Sequence, residues 1–282
     1  MQHPEPTPFD RLLNLALGAL RPPPGRARIA VAFAYGLFCH SVFALAVAAM
    51  IVAMFFGMSE SLGQVPAPWS YVANLFLVLQ FPLLHSFLLS KKGSKLLLKI
   101  APKRYAKTLG TTNFAIIASL QLLLLFVLWT PTGIVLWRAE GAVFVLICAL
   151  YAFSWLLLIK ASYDAGAEVQ SGALGWMSLA QGKTPVFPDM PTLGLFRLIR
   201  QPIYVSFALT LWTVPVWTPD QLVLAATLTA YCLFAPILKE RRFEKRYGAR
   251  FQAYKARVPY AVPVLKSPGF YRARTVNKSG DV

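Results

Sequence analysis

The chain alternates long apolar runs with short polar breaks. Apolar runs cover residues 29–56, 69–89, 111–129, 139–159, 202–214 and 220–238. Several reach the roughly 20 residues that carry a helix across a bilayer core. The first is about 40 Å long at 1.5 Å per residue, so it is predicted to tilt or to project. The fifth is short and stops at Pro215-Val216-Trp217-Thr218-Pro219, where the sixth begins. Two apolar helices joined by a Pro-bounded turn read as a tight transmembrane hairpin. The predicted fold is all-α: a polytopic membrane protein of about six spans, including a C-terminal helical hairpin followed by a cytoplasmic amphipathic helix.

The pattern changes at Lys239. Phe243, Tyr247, Phe251, Tyr254 and Val258 recur at spacings of four, four, three and four, which is one apolar helical face. Arg241, Arg242, Lys245, Arg246 and Lys255 lie on the other face. Such a helix lies on a membrane surface or caps a protein cavity. Gly248 sits in its middle at a cost of about 1 kcal/mol relative to Ala, so a close backbone approach or a local break is expected there. Near the other terminus, residues 9–20 read as a short interfacial helix stopped by Pro22-Pro23-Pro24.

Composition agrees with this pattern and charge refines it. The chain of 282 residues is 57% hydrophobic and 14% charged, above the apolar share of about 45–50% usual in soluble domains. A net charge of +17 would suggest nucleic acid in a soluble protein. Its placement gives another reading. With both termini cytoplasmic, 27 of the 28 Lys and Arg residues fall before the first span, in residues 91–107, in 160–200 or after 238, and Arg138 alone falls opposite. That is the positive-inside bias of a membrane protein, here assigned to a bacterial inner membrane, with anionic lipid as the contact and no nucleic-acid partner. Three units are expected: an N-terminal cytoplasmic segment (1–28), a membrane domain (29–263) with its motif-bearing core at 193–259, and a basic tail (264–282). Cys39, Cys148 and Cys232 lie in separate apolar runs without a C-x-x-C pair, so neither a metal site nor a disulfide framework is expected. No cleavable signal peptide is read at the N-terminus.

In this topology several polar groups fall at the cytoplasmic ends of spans: His85-Ser86, Thr111-Thr112-Asn113, Lys160 and Asp164, Arg200-Gln201-Pro202 with Tyr204, and Lys239-Glu240. Polar groups near membrane depth usually face the protein interior or a wet cavity, so one site can draw on several of them. His40, in mid-span with only Ser41 for polar company, reads as a packing residue.

Arg200-Gln201-Pro202-Ile203-Tyr204 resembles the R-H-P-x-Y signature of membrane-embedded methyltransferases of the isoprenylcysteine carboxyl methyltransferase type. Lys239-Glu240-Arg241-Arg242-Phe243, with Tyr247-Gly248, Tyr254 and Val258-Pro259, resembles their E-E-R-x-L…G…Y…Y…V-P block. The nurim-like branch, which includes methanethiol S-methyltransferases, is the nearer likeness: His85-Ser86 resembles its Q-H-S element, Thr111-Thr112-Asn113-Phe114 its third-span start, Trp129, Pro131, Val135 and Trp137 its W-x-P…V-W turn, and Trp212 with Pro215 its W-x-x-P. The chain departs from the pattern at Gln201, where the signature has His, and at Lys239, where it has Glu. The resemblance implies S-adenosylmethionine as cofactor. It implies Arg200, Gln201, Pro202, Tyr204, Glu240 and Tyr254 as its binding residues. Arg200 suits a two-pronged grip on a carboxylate, Glu240 can accept from ribose or amino groups, and Tyr204 and Tyr254 can pack on the adenine. The acceptor that the resemblance implies is a small thiol or a lipophilic molecule. A thiol must ionise to attack, and His85 is the candidate catalytic residue for that proton. The alternative is a non-catalytic nurim-like membrane scaffold. A channel or transporter is disfavoured, since the spans carry neither a charged series nor an inverted repeat.

Overall fold

The structure, a computed structural model, describes residues 7–263; residues 1–6 and the predicted basic tail at 264–282 lie outside the described residues. In chain order the helices are α1 (Pro8–Leu20), α2 (Arg26–Phe55), α3 (Trp69–Leu88), α4 (Lys91–Ile100), α5 (Gly110–Leu128), α6 (Gly141–Asp164), α7 (Ala167–Gln170), α8 (Ala173–Ala180), α9 (Pro202–Trp212), α10 (Pro219–Tyr247) and α11 (Ala249–Arg257), with a 3-10 turn at Gly194–Arg197. Two-residue strands β1 (Trp137–Arg138) and β2 (Val216–Trp217) pair antiparallel. α2, α3, α5, α6 and α10 are long and apolar enough to cross a bilayer. α9 is apolar but has only 11 residues, about 16 Å, short of the roughly 30 Å hydrocarbon core. The protein is an all-α integral membrane protein with five full-length spans, the sixth predicted span being a half-depth helix packed on α6 and α10.

Lipid is as apolar as a core side chain, so packing and interhelical hydrogen bonds hold such a bundle together. Large apolar residues such as Leu37, Phe76, Val145, Leu156 and Phe234 accordingly face outward, while Met54, Val78, Phe126, Trp129, Leu211 and Leu228 form the main core. Polar staples cross it. Gln121 Nε2 donates to Gln80 Oε1 at 2.8 Å, Gln80 Nε2 donates to the Gln121 carbonyl at 3.0 Å, and Gln221 Nε2 donates to the Leu211 carbonyl at 2.8 Å. His40 accepts from Trp176 Nε1 at 3.0 Å, as a packing histidine should.

The end carrying Arg138 is closed by its own polar groups. Asp220, 4% exposed, accepts from Trp129 Nε1 at 3.0 Å and from the Thr132 amide and hydroxyl at 2.9 and 2.6 Å. Asn74 exchanges two hydrogen bonds with the Thr130 backbone. Thr218 caps α10 by accepting from the Gln221 amide. Where the half-depth hairpin turns, β1–β2 pairing with the Leu136 and Ala139 amides bonded to the Trp217 and Pro215 carbonyls occupies backbone groups that lipid cannot satisfy. The Trp and Pro motifs at 129–137 and 212–215 build this closure.

At the basic end, the predicted interfacial helix forms as α1, begun by a Thr7–Asp10 capping box with Pro8 in the first turn. Arg11 pairs with buried Glu168 at 3.2 Å, while Phe9, Leu13, Leu17 and Leu20 stay exposed. The connector 160–200 proves to be ordered. Asp164 pairs with Lys160 and accepts from the Leu195 amide at 2.8 Å, which pins the 3-10 turn leading to Arg200. Gly194 makes this possible: its φ is +60°, and a Cβ there would collide with the Asp164 carboxylate. Gly194→Ala is expected to destabilise the protein by roughly 1–3 kcal/mol, read as a lower Tm in detergent; an unchanged Tm would count against this account of the connector.

Candidate functional site

Three segments meet around Arg200. The first is the 3-10 turn and the start of α9, where Pro202 at the first helical position sets the entry angle. The second is the end of α10. The predicted amphipathic tail helix is divided: α10 runs on to Tyr247, and Gly248 (φ 51°, ψ −126°) turns the chain into α11. A Cβ on Gly248 would meet nothing within 4 Å, so the expected close approach is absent and the glycine serves the break. The third is the return segment after α11, where the Arg200 and Gln201 amides donate to the Pro259 and Tyr260 carbonyls at 2.9 and 3.1 Å. The Val-Pro motif thus lies beside the Arg-Gln-Pro motif. On its apolar face α11 caps protein: Phe251 and Tyr254 pack on Met190, and Tyr254 donates to the Phe196 carbonyl at 2.7 Å.

Glu240, 7% exposed, is the hub. Its Oε1 accepts from Arg200 Nε at 2.8 Å and from Gln201 Nε2 at 2.7 Å. Among the described residues, its Oε2 has only the longer Arg200 Nη2 contact at 3.4 Å and Lys255 Nζ at 3.9 Å. Arg200 Nη1 donates to the Lys255 and Val258 carbonyls, and its guanidinium lies 5.5 Å from the Tyr260 ring centroid. The two-pronged edge of Arg200 is therefore turned on Glu240, and the arginine joins α9, α10 and the return segment. The acceptors with capacity to spare are Glu240 Oε2 and Gln201 Oε1, the latter buried without a hydrogen-bond partner. Gln201 and Glu240 line a cavity of about 10 Å³ with Phe196, Lys239, Phe243 and Tyr254. Tyr254 also borders an outer cleft of about 440 Å³ lined by Arg197, Arg250 and Arg257. Burial raises the Tyr254 phenol above its ordinary pKa, with Arg200 opposing and Glu240 adding, so it stays a hydrogen-bond donor at neutral pH. At the cleft edge Asp189 pairs with Arg250. Partial burial works against the Asp189 charge, but the Met190 amide and Arg250 outweigh it and hold the carboxyl below its usual pKa.

His85 stands at a second level. Its ring packs against Phe81, Phe114 and Tyr231 at centroid distances of 5.1, 4.9 and 6.5 Å, and its Nδ1 is buried without a partner. Tyr231 precedes Glu240 by nine residues of α10, about 13 Å, so the polar groups expected at one depth occupy two. Tyr204 lies between them, with Lys239 Nζ 5.7 Å from its ring centroid and Tyr231 and Arg242 within electrostatic reach. Thr112 belongs to neither level: it donates to the Gly172 carbonyl at 2.7 Å and accepts from the Trp176 amide, fixing α5 to α8. Sequence reasoning missed Phe196, Tyr231 and Tyr260. A signal existed for Tyr231, which shares a helical face with Arg242 eleven residues on.

No family profile and no solved structure matches the chain. Curated proteins do. Methanethiol S-methyltransferase 1 of Bradyrhizobium diazoefficiens is 27% identical over 197 residues, 70% of this chain and 68% of its own length. Methanethiol S-methyltransferase of Crocosphaera subtropica is 25% identical over 236 residues, 82% of this chain and 91% of its own. The chain is thus similar to the methanethiol S-methyltransferases. Nurim of Rattus norvegicus is 30% identical over 167 residues, 56% of this chain and 62% of nurim. The nurim-like likeness read from the motifs is thus matched over more than half of the chain.

Proposed function

We propose that this chain is a membrane-embedded methyltransferase that takes a methyl group from S-adenosylmethionine and passes it to a small, methanethiol-like thiol or another lipophilic acceptor. The observation that carries the reading is the buried Arg200–Glu240–Gln201 cluster at the basic end of the bundle, with the Gln201 Oε1 acceptor unsatisfied beside a small cavity, in a chain similar to such enzymes. The charge bias would place this end and both termini in the cytoplasm, at a bacterial inner membrane, in contact with anionic lipid. Residues 29–263 would form the catalytic domain.

Arg200, Gln201, Pro202, Tyr204, Glu240 and Tyr254 would hold the cofactor. Glu240 Oε2 and Gln201 Oε1 accept from hydroxyl and amino donors, and the tyrosine rings offer stacking faces. Arg200 orients Glu240. Bound there, S-adenosylmethionine supplies a methyl group already activated as a sulfonium, so the protein's task is alignment and exclusion of water. His85, with a free ring nitrogen in a pocket of Phe81, Phe114 and Tyr231, takes the thiol proton.

Calorimetry on detergent-purified protein tests this reading: saturable S-adenosylmethionine binding is expected, and its absence at high concentration would leave the scaffold reading. His85→Ala is expected to lower turnover about 100-fold with cofactor Kd unchanged; full turnover would remove His85 from the mechanism.

A further inference from the structure

Lys239 is partly buried, yet among the described residues it enters no ion pair. Its ammonium is held by three ring faces: Phe196 of the 3-10 turn at 5.7 Å, Tyr204 of α9 at 5.7 Å and Phe243 of α10 at 5.6 Å. The ammonium also donates a long hydrogen bond to the Arg200 carbonyl, at 3.5 Å. Rings from three elements converging on one cation form an aromatic box, the arrangement that binds quaternary ammonium and similar cations by the quadrupole of the ring faces. The box adjoins the cluster site: Phe196, Lys239 and Phe243 line the same small cavity as Gln201 and Glu240. The protein therefore has a cation seat beside its hydrogen-bonding cluster and fills that seat with its own side chain.

Building on the proposed cofactor, we infer that the Phe196–Tyr204–Phe243 box is the seat of the methyl donor's sulfonium, and that the Lys239 ammonium must leave it before the donor binds. Two positive charges do not share one box. The surroundings give little relief, because Arg200 and Arg242 are close and Glu240 is already engaged with Arg200. Lys239 thus sets the balance between the charged donor and its neutral thioether product. The thioether brings no cation to the seat and competes less with the lysine. Among the site residues, Lys239 is a specificity-determining one.

The test is calorimetric, with S-adenosylmethionine and S-adenosylhomocysteine as paired probes on the full chain. In Lys239→Met and Lys239→Gln the seat is vacated, and affinity for the sulfonium relative to the thioether is expected to rise roughly tenfold or more. Lys239→Arg keeps a cation there and is expected to keep the ratio of the unsubstituted protein. Phe243→Ala in the Lys239→Met background is expected to weaken the sulfonium more than the thioether. Sulfonium binding that persists with an unchanged ratio in both neutral variants would overturn the inference and leave the cofactor reading intact. Failure of both probes to bind any of these proteins would overturn the cofactor reading, and the inference with it.

Discussion

Glu240→Ala is expected to cost roughly 3–5 kcal/mol of stability and to abolish S-adenosylmethionine binding. The stability loss follows from what the substitution leaves behind. Arg200 is 9% exposed and Gln201 1% exposed, and both lose their shared acceptor in the interior. Removing one member of a buried pair strands the other charge, which is worse than removing both. The double replacement Arg200→Met with Glu240→Met is therefore expected to recover much of the Tm lost in Glu240→Ala while leaving cofactor binding absent. Thermal unfolding and calorimetry on the two proteins check this. Equal Tm for single and double variants would show that the pair is not what Glu240 contributes. Retained binding in either would remove the cluster from the site.

Asp220→Ala should lower stability by about 3 kcal/mol, since it orphans the Trp129 indole, the Thr132 amide and the Thr132 hydroxyl at once. The consequence should differ in kind from that of Glu240. Asp220 closes the far end of the bundle, about 30 Å along α10 from Glu240, so the protein that remains folded should bind S-adenosylmethionine with unchanged Kd. Asp220→Asn, which keeps one acceptor oxygen, should lose less. A Tm unchanged in Asp220→Ala would mean that the hairpin turn is held by β1–β2 and its flanking backbone bonds alone. A shifted Kd would mean that the two ends are coupled.

The spans were legible because a bilayer imposes length and apolarity on each one, and α3 and α5 begin and end within a residue or two of their predicted limits. The connector at 160–200 was not legible. Its order comes from a few specific contacts, Asp164 to the Leu195 amide and Arg11 to Glu168, that no periodicity announces. The tail helix shows both sides. Its apolar spacing correctly brought Phe243, Phe251 and Tyr254 together, but spacing on a straight helix could not show that Gly248 folds α11 back over the 3-10 turn. The Arg-Gln-Pro and Lys-Glu motifs were visible one by one. That Arg200 faces Glu240 inward, that Lys239 sits among rings, and that His85 lies deeper beside Tyr231 depend on side-chain packing across elements, which spacing within one element does not record.

The proposed reaction transfers a methyl group to a small thiol, giving a volatile thioether, or to a lipophilic acceptor. Membranes containing this chain, given methyl-labelled S-adenosylmethionine and methanethiol, test it directly when the label is partitioned into headspace, lipid and protein. Label in the headspace that depends on the thiol, and is lost with Glu240→Ala, is the predicted result. Label confined to lipid would support a lipophilic acceptor in place of the thiol. No transfer to any fraction by folded protein would contradict the claim.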